Sequence, residues 1–444
     1  MKKSTGIHFY INITNFYDVV EDEEKRLGSV EHSIHALDTF FSSIELYGRK
    51  HYGESFIVEK ITGSRLHLYV VTDNIAKAFE IVSSVSQYSY LLTNYMKSNI
   101  SKYKTLVEFS LNVGACYGSF YEFEFCKDEI RELTTIGFAA NLAAKLQAIA
   151  SDSKLIISEN IYDELKPWQR ECFIRVVDSS INKYEQDCCY ECKLIQLKTR
   201  FSYEKDLENA RRRALNVNLG SINTREARAR VDFDALSKTE CRKIVGIPLY
   251  ADVRGFTIQF DSDDANLEEM AVKTQGILTD MYNAVEETNG VHVQFQGDRE
   301  LAVFHNYKDY VCVKDAVIAG MKIIDRVSAW GVRVGIGQSL GPMFASKIGA
   351  RGERDNILLG RTVVSADKNE DMKAKGNQIV ISAECLVELK SEAPNLAKLF
   401  KCLDGDAFVT NCGYQEFILS TQHAQLKKDN SRNSYNGAWR CKCE

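Results

Sequence analysis

The chain writes one phrase twice: "YINITNFYDVV", beginning at Tyr10, returns as "YADVRGFTIQF", beginning at Tyr250. A repeat on this scale constrains a fold more than any composition does, because two copies of one pattern must bury similar apolar faces in similar ways. In the first copy "EHSIHALDTFFSSIELYG" sets Ile34, Leu37, Phe41 and Ile44 at helical spacing, and strands follow around "SFIVEKITGSRLHLYVV". In the second copy Leu267, Met270, Ile277, Leu278 and Met281 mark the matching helix, ahead of "VHVQFQGDRELAVF". Further on, "VEFSLNVGACYGSF" answers "VRVGIGQSLGPMF", and "TTIGFAANLAAKLQAIASDSKLIISENIYDEL" answers "ILLGRTVVSADKNEDMKAKGNQIVISAECLVEL". Both copies close on a hairpin, in "FIRVVDSSINKYEQDCCYECKLIQL" and "FKCLDGDAFVTNCGYQEFILS". Each half therefore reads β-α-β-β-α-β with extra strands, an α+β sheet with helices on one face.

The 444 residues divide accordingly into a first domain at 1–200, a linker at 201–243, a second domain at 244–422 and a polar tail at 423–444. Within the linker "EKDLENARRRALN" reads as a helix and "NLGSINTREARARVDFD" as connecting chain. Hydrophobic residues at 45% and charged residues at 26% suit a globular protein with a sizeable core. The net charge of -5, mixed in sign, asks for neither a nucleic acid nor a membrane as partner, and no apolar run is long enough to span a bilayer. The chain reads as cytoplasmic, its thirteen cysteines as reduced thiols. Cys188, Cys189 and Cys192 with Cys441 and Cys443 could supply zinc ligands; ordinary positions in a β-rich stretch and a polar tail are the better reading.

Asp252 sits just past a strand, and Asp298 follows Gly297 in a tight strand-to-strand turn. The pattern places both at neighbouring, solvent-facing strand ends, where two carboxylates with the backbone amides of Phe256 and Thr257 suit one or two divalent cations carrying a nucleoside triphosphate. Gly255 would let the backbone approach closely.

"YADVRGFT" and "FQGDRELAVF" resemble the metal-binding motifs of the class III nucleotidyl cyclases, and "IGFAANLAAKL" resembles the motif that supplies the transition-state residues in that family. The resemblance runs over nearly the whole chain, twice. It implies two tandem ferredoxin-like (βαββαβ) domains forming a pseudo-heterodimer, which turn a nucleoside triphosphate into a 3′,5′-cyclic monophosphate and pyrophosphate with two Mn²⁺ or Mg²⁺ ions. It assigns the metals to Asp252 and Asp298, and the transition state to Asn141 and to Lys145, where the family has Arg. The same alignment sets Lys60 and Thr134 against the base. The other copies of these positions have lost their chemistry: Asn12 and Ser64 stand for the two Asp, Val364 for the Asn and Lys368 for the residue one turn on. A lysine donor beside a threonine acceptor suits cytosine or adenine. The two-domain architecture resembles the pyrimidine cyclases of bacterial anti-phage Pycsar systems, which favours CTP and a cyclic product acting on a separate effector; ATP and UTP are the alternative substrates. A degenerate cyclase-fold module that binds nucleotide without chemistry is the non-enzymatic alternative. Docking of the halves within one chain and pairing between two chains as a homodimer are equally compatible with the sequence.

Overall fold

The computed structural model describes residues 2–99, 109–127, 130–151, 153–184, 186–197, 199, 202–216, 223–237, 240–255, 267–349, 355–420 and 422. Two mixed sheets are built to one plan. In the first, the strands run Phe56–Thr62, Arg65–Val71, Lys2–Ile13, Leu111–Lys127, Lys154–Ser158, Cys189–Lys193 and Ile174–Val176 across the sheet. In the second, the order is Val291–Gln296, Arg299–His305, Glu240–Arg254, Arg333–Gln338, Gln378–Ser382, Ala407–Thr410 and Lys401–Asp404. The period-two pattern of the opening strand explains the layering. Ile7, Phe9 and Ile11 are fully buried in a core with Ile34, Leu37, Phe41 and Ile44 of the helix Glu31–Tyr52. His8, Tyr10 and Asn12 alternate with them and so belong to the opposite face.

The stretch between the halves is packed chain at both ends. The helix Glu204–Asn216 buries Ala210 and Ala214 in the first core, and its Asp206 meets Lys50 Nζ at 2.6 Å and His51 Nε2 at 2.9 Å. Val231, Phe233 and Leu236, expected as connecting chain, pack with Ile244, Tyr250 and Val293. The apolar residues in "VDFDAL" carry that burial.

The halves exchange arms. The far end of Leu111–Lys127, paired with Ile130–Ile136, carries Phe123 and Phe125 onto Leu278 and Phe295, while Tyr121 and Ile136 enter the second core. The corresponding hairpin, Gly341–Ile348 with Asp355–Leu359, sends Phe344, Ile348, Ile357 and Leu359 into the first core. Between the arms the backbone is read reciprocally. Glu132 Oε2 accepts from Phe295 N at 2.8 Å, and Asp355 Oδ2 accepts from Ile61 N at 2.7 Å. Lys60 donates to the carbonyl of Phe295, and Gln294 Nε2 donates to that of Ile61 at 3.3 Å. Glu132 and Asp355 occupy equivalent places, five residues before Gly137 and Gly360, and Lys60 and Gln294 stand three before Gly63 and Gly297. The two halves of one chain thus dock on each other across a pseudo-two-fold axis.

Candidate functional site

Antiparallel pairing sets Asp252 directly across from Arg299, and the Gly297 turn, with φ of 71°, brings Asp298 alongside. The two carboxyls are recessed, contrary to the solvent-facing placement expected of them; the Asp252 side chain is 27% exposed. Burial, and then the neighbouring Asp298, push Asp252 up to about 7. Burial, with Glu370 adding to it, pushes Asp298 up to about 6. Arg254 Nη1 donates to Asp252 Oδ2 at 2.7 Å, and its Nη2 reaches the carbonyls of Glu370 and Ala374 at 2.7 and 3.0 Å. Arg299, lying over the Tyr250 ring at 4.1 Å, pairs with Asp367 and with the buried Glu370, each at 2.5 Å. Four carboxylates therefore share two guanidiniums, and the whole cluster is short of positive charge: Glu370, like Asp252, is pushed up to about 7.

The equivalent place in the first half is closed. Ser64 Oγ donates to Asn12 Oδ1 at 2.9 Å, so the two side chains satisfy each other and bring no charge.

Asn141 lies in the first turn of the helix Phe138–Ile149, which starts after Gly137 at φ 134°. Its backbone N–H bonds the Gly137 carbonyl at 3.2 Å, while its side-chain nitrogen Nδ2 is buried with no partner. A buried amide donor left empty is costly and is found where a ligand supplies the acceptor. Lys145 stands one turn further along the same face, half-buried, and its charge acts on Asp178. The matching helix Arg361–Lys368 starts after Gly360 at φ 130° and offers the apolar Val364 and the exposed Lys368.

Lys60 is not a solvated strand lysine. It is 5% exposed, and its Nζ lies 2.9 Å from Glu132 Oε2. Burial works against its charge, and Glu132 more than offsets this, holding the ammonium above the ordinary lysine value. Glu132 in turn reaches His292 Nε2 at 2.9 Å, and His292 Nδ1 meets Glu300 at 2.8 Å. Thr134 is fully buried, its hydroxyl 3.5 Å from Glu59 Oε1. The structure thus brings Lys60 onto Phe295, three residues before Asp298 in the second half. Ile136, buried in the second core, leads into the helix of Asn141 and Lys145. No hydrogen bond or ion pair among the described residues joins Asn141 or Lys145 directly to either Asp. Phe256 and Thr257 lie outside the described residues.

Two groups escaped the sequence reading. Glu370 comes from the π-helical turn Asn369–Lys373, which no pattern announces. Behind Thr134, the buried carboxylate of Glu59 meets His67 Nδ1 at 3.0 Å, and His67 Nε2 meets His8 Nδ1 at 2.9 Å. The paired "HFY" and "HLY" of two adjacent strands, with His8 opposite Tyr69 and Tyr10 opposite His67, were the available signal. These three groups lie within 4.8 Å of one another, as metal ligands would, but His67 meets Glu59 through Nδ1 and His8 through Nε2, so these contacts do not converge on one ion. Cys188, Cys189 and Cys192 are buried free thiols with no metal-ligand cluster around them among the described residues; Cys441 and Cys443 lie outside those residues. No described helix is long and apolar enough to cross a membrane.

No family model matches the chain. A solved structure, that of a class III adenylyl cyclase-like ATP-binding protein from Pseudomonas aeruginosa, superposes with a TM-score of 0.74 over 94% of this chain and 90% of that one, at 16% identity. A uridylate cyclase from Pseudomonas aeruginosa is 26% identical over 159 residues, which span 32% of this chain and 31% of the relative.

Proposed function

From a chain whose two halves carry the class III nucleotidyl cyclase fold in tandem, we propose an enzyme that closes a nucleoside triphosphate to its 3′,5′-cyclic monophosphate and releases pyrophosphate. One observation carries this reading: at two pseudo-equivalent positions the chemistry is sorted, not scattered. The second half keeps the carboxylates Asp252 and Asp298 while Val364 replaces its amide; the first half keeps the Asn141 donor, unpartnered among the described residues, while Asn12 and Ser64 bond each other. Drift in a binding module would not divide the losses so that one complete set remains.

The donor set of Asp252 and Asp298, two oxygen ligands with surplus negative charge, fits a hard divalent cation such as Mn²⁺ or Mg²⁺. When bound there, such ions supply charge neutralisation at the phosphates and a lower pKa for the ribose 3′-hydroxyl. The protein's part is positioning: Asn141 Nδ2 donates to the ribose, Lys145 holds its charge against the phosphorus as negative charge spreads, and the backbone of Phe256 and Thr257 meets the phosphate oxygens. Lysine keeps the charge of the family's arginine without its planar fork, so its contact is a single point.

For the base, Lys60 donates and Thr134 accepts. Cytosine meets this pair through N3 and its N4 amine, which makes CTP the first substrate. UTP is the second, favoured by the uridylate cyclase relative; uracil presents the reverse of this pattern, N3–H where cytosine has an acceptor and O4 where it has an amine. The cyclic pyrimidine nucleotide would then act as a messenger on a separate effector, as in the Pycsar systems the architecture resembles. Incubation with ATP, GTP, CTP and UTP separately in Mn²⁺, with products identified by mass spectrometry, tests the reading. A cyclic pyrimidine product, absent with Asp252→Asn, is expected. No cyclic product from any of the four, or undiminished turnover in a folded Asp252→Asn protein, overturns it.

A further inference from the structure

We infer that Glu59, steered by His67 and His8, locks the Thr134 hydroxyl as a hydrogen-bond acceptor and is thereby a specificity-determining residue for the base. The inference rests on the reading of Lys60 and Thr134 as base-facing residues. It concerns what stands behind Thr134.

Glu59 occupies a bulge in the strand Phe56–Thr62, between Val58, paired with Leu68, and Lys60, paired with His67. The bulge turns its carboxylate away from the regular alternation of the strand. There it gathers donors: Thr135 N at 3.1 Å, the Thr135 hydroxyl in a short contact, the Thr134 hydroxyl at 3.5 Å and His67 Nδ1 at 3.0 Å. The side chain is 3% exposed. Burial opposes its charge, but His67, Thr135 and Lys60 together hold the carboxyl below its ordinary value, so Glu59 is an anion.

An anion accepts and cannot donate, which fixes every proton around it. Both threonine hydroxyls turn their hydrogens to Glu59, Thr135 in the closer contact and Thr134 at 3.5 Å. His67 turns Nδ1–H to Glu59, and its Nε2 meets His8 Nδ1 at 2.9 Å on the far side of the ring. His8 is neutral, because burial first and His67 second lower its pKa, and its Nε2 is left without a partner. This chain of assignments ends with the lone pairs of Thr134 facing away from Glu59. A threonine free to turn would offer a donor or an acceptor and discriminate little. Held in this way, it takes only a donor, the N4 amine of cytosine, and it rejects the O4 carbonyl that uracil puts in the same place.

The test is the ratio of kcat/KM for CTP to that for UTP, a readout that general loosening of the structure would not move, since both substrates share ribose and phosphates. Glu59→Gln supplies an amide that can donate to Thr134 and lets the hydroxyl turn outward. The ratio is expected to shift toward the disfavoured pyrimidine by about tenfold, the worth of one hydrogen bond. Thr134→Val should shift it similarly, Thr134→Ser should keep it, and Glu59→Gln added to Thr134→Val should change nothing more. A ratio within about twofold of the parent protein in Glu59→Gln overturns the inference. Should Glu59→Gln fail to fold, an unchanged ratio in Thr134→Val overturns it equally, because that variant leaves Glu59 in place. Absence of any cyclic product from the parent protein counts against the proposed function instead.

Discussion

At Asp252 and Asp298 the cost of holding two acids together is visible as a resistance to ionisation, to about 7 and about 6. Both values stand above that of an exposed carboxyl, so each group favours the folded state at low pH, and this contribution is lost as pH rises through those values. Thermal unfolding in chelator should therefore show the metal-free protein losing stability between about pH 4 and pH 7, with Mn²⁺ restoring it at the upper end. Asp252→Asn should flatten the profile; a profile as steep as the parent's would remove this pair as its source. Asn141 offers the converse case, since its Nδ2 has no partner among the described residues. Asn141→Ala is expected to leave the melting curve in place and to lower turnover roughly 10²–10³-fold. Substitution of Val364 or Ser64 should leave turnover near that of the parent, and a large loss there would mean the halves are paired the other way round.

Elements were more legible than their company. The repeat exposed the opening strands, the helices and the turn at Gly297, because apolar spacing and turn glycines are local signals. The division of Asp252 and Asp298 from Asn141 could be read from the same alignment. Glu59 could not, because a bulge breaks the period that a reader would follow, and its partner Thr135 is distant in sequence. Nor could the roles of Glu132 and Asp355, which consist of accepting from Phe295 and Ile61 of the opposite half. Gly137 shows what an element start must satisfy. At φ 134° it holds a conformation closed to other residues, and a Cβ there would lie 3.1 Å from the Phe120 Cα. Gly137→Ala is expected to cost about 1–3 kcal/mol and, by shifting the helix that carries Asn141, to lower kcat more than it raises KM. Unchanged kinetics would separate that helix from the chemistry.

For the molecule as a whole, the docking of the halves places every proposed site residue in a single chain. Turnover should be strictly proportional to protein concentration, and a mixture of Asp252→Asn and Asn141→Ala proteins should stay inactive; recovery on mixing would show that halves pair between chains. The contact also has its own pH range. His292, drawn between Glu300 and Glu132 against the effect of burial, is raised to about 10, and its contribution to stability is full below about 6.5 and lost as pH climbs through the raised value. His292→Gln should abolish a loss of stability that the parent shows between about pH 6.5 and pH 10, as followed by thermal unfolding.

The exchanged arms carry a consequence for how such a protein can be supplied. Produced separately, each half would be left with an open slot where the other's Tyr121 and Ile136, or Phe344 and Leu359, belong. A second copy of the same half offers the nearest filler for that slot. One such self-pair would hold four acids and no amide, the other two amides and no acids. Both would be inert, and only cross-pairing would restore a working site. Joined in one polypeptide, the halves are always made one to one and meet each other before they meet their own kind. Fusion thus acts as a guarantee of stoichiometry, and it frees each half to discard what its partner already provides.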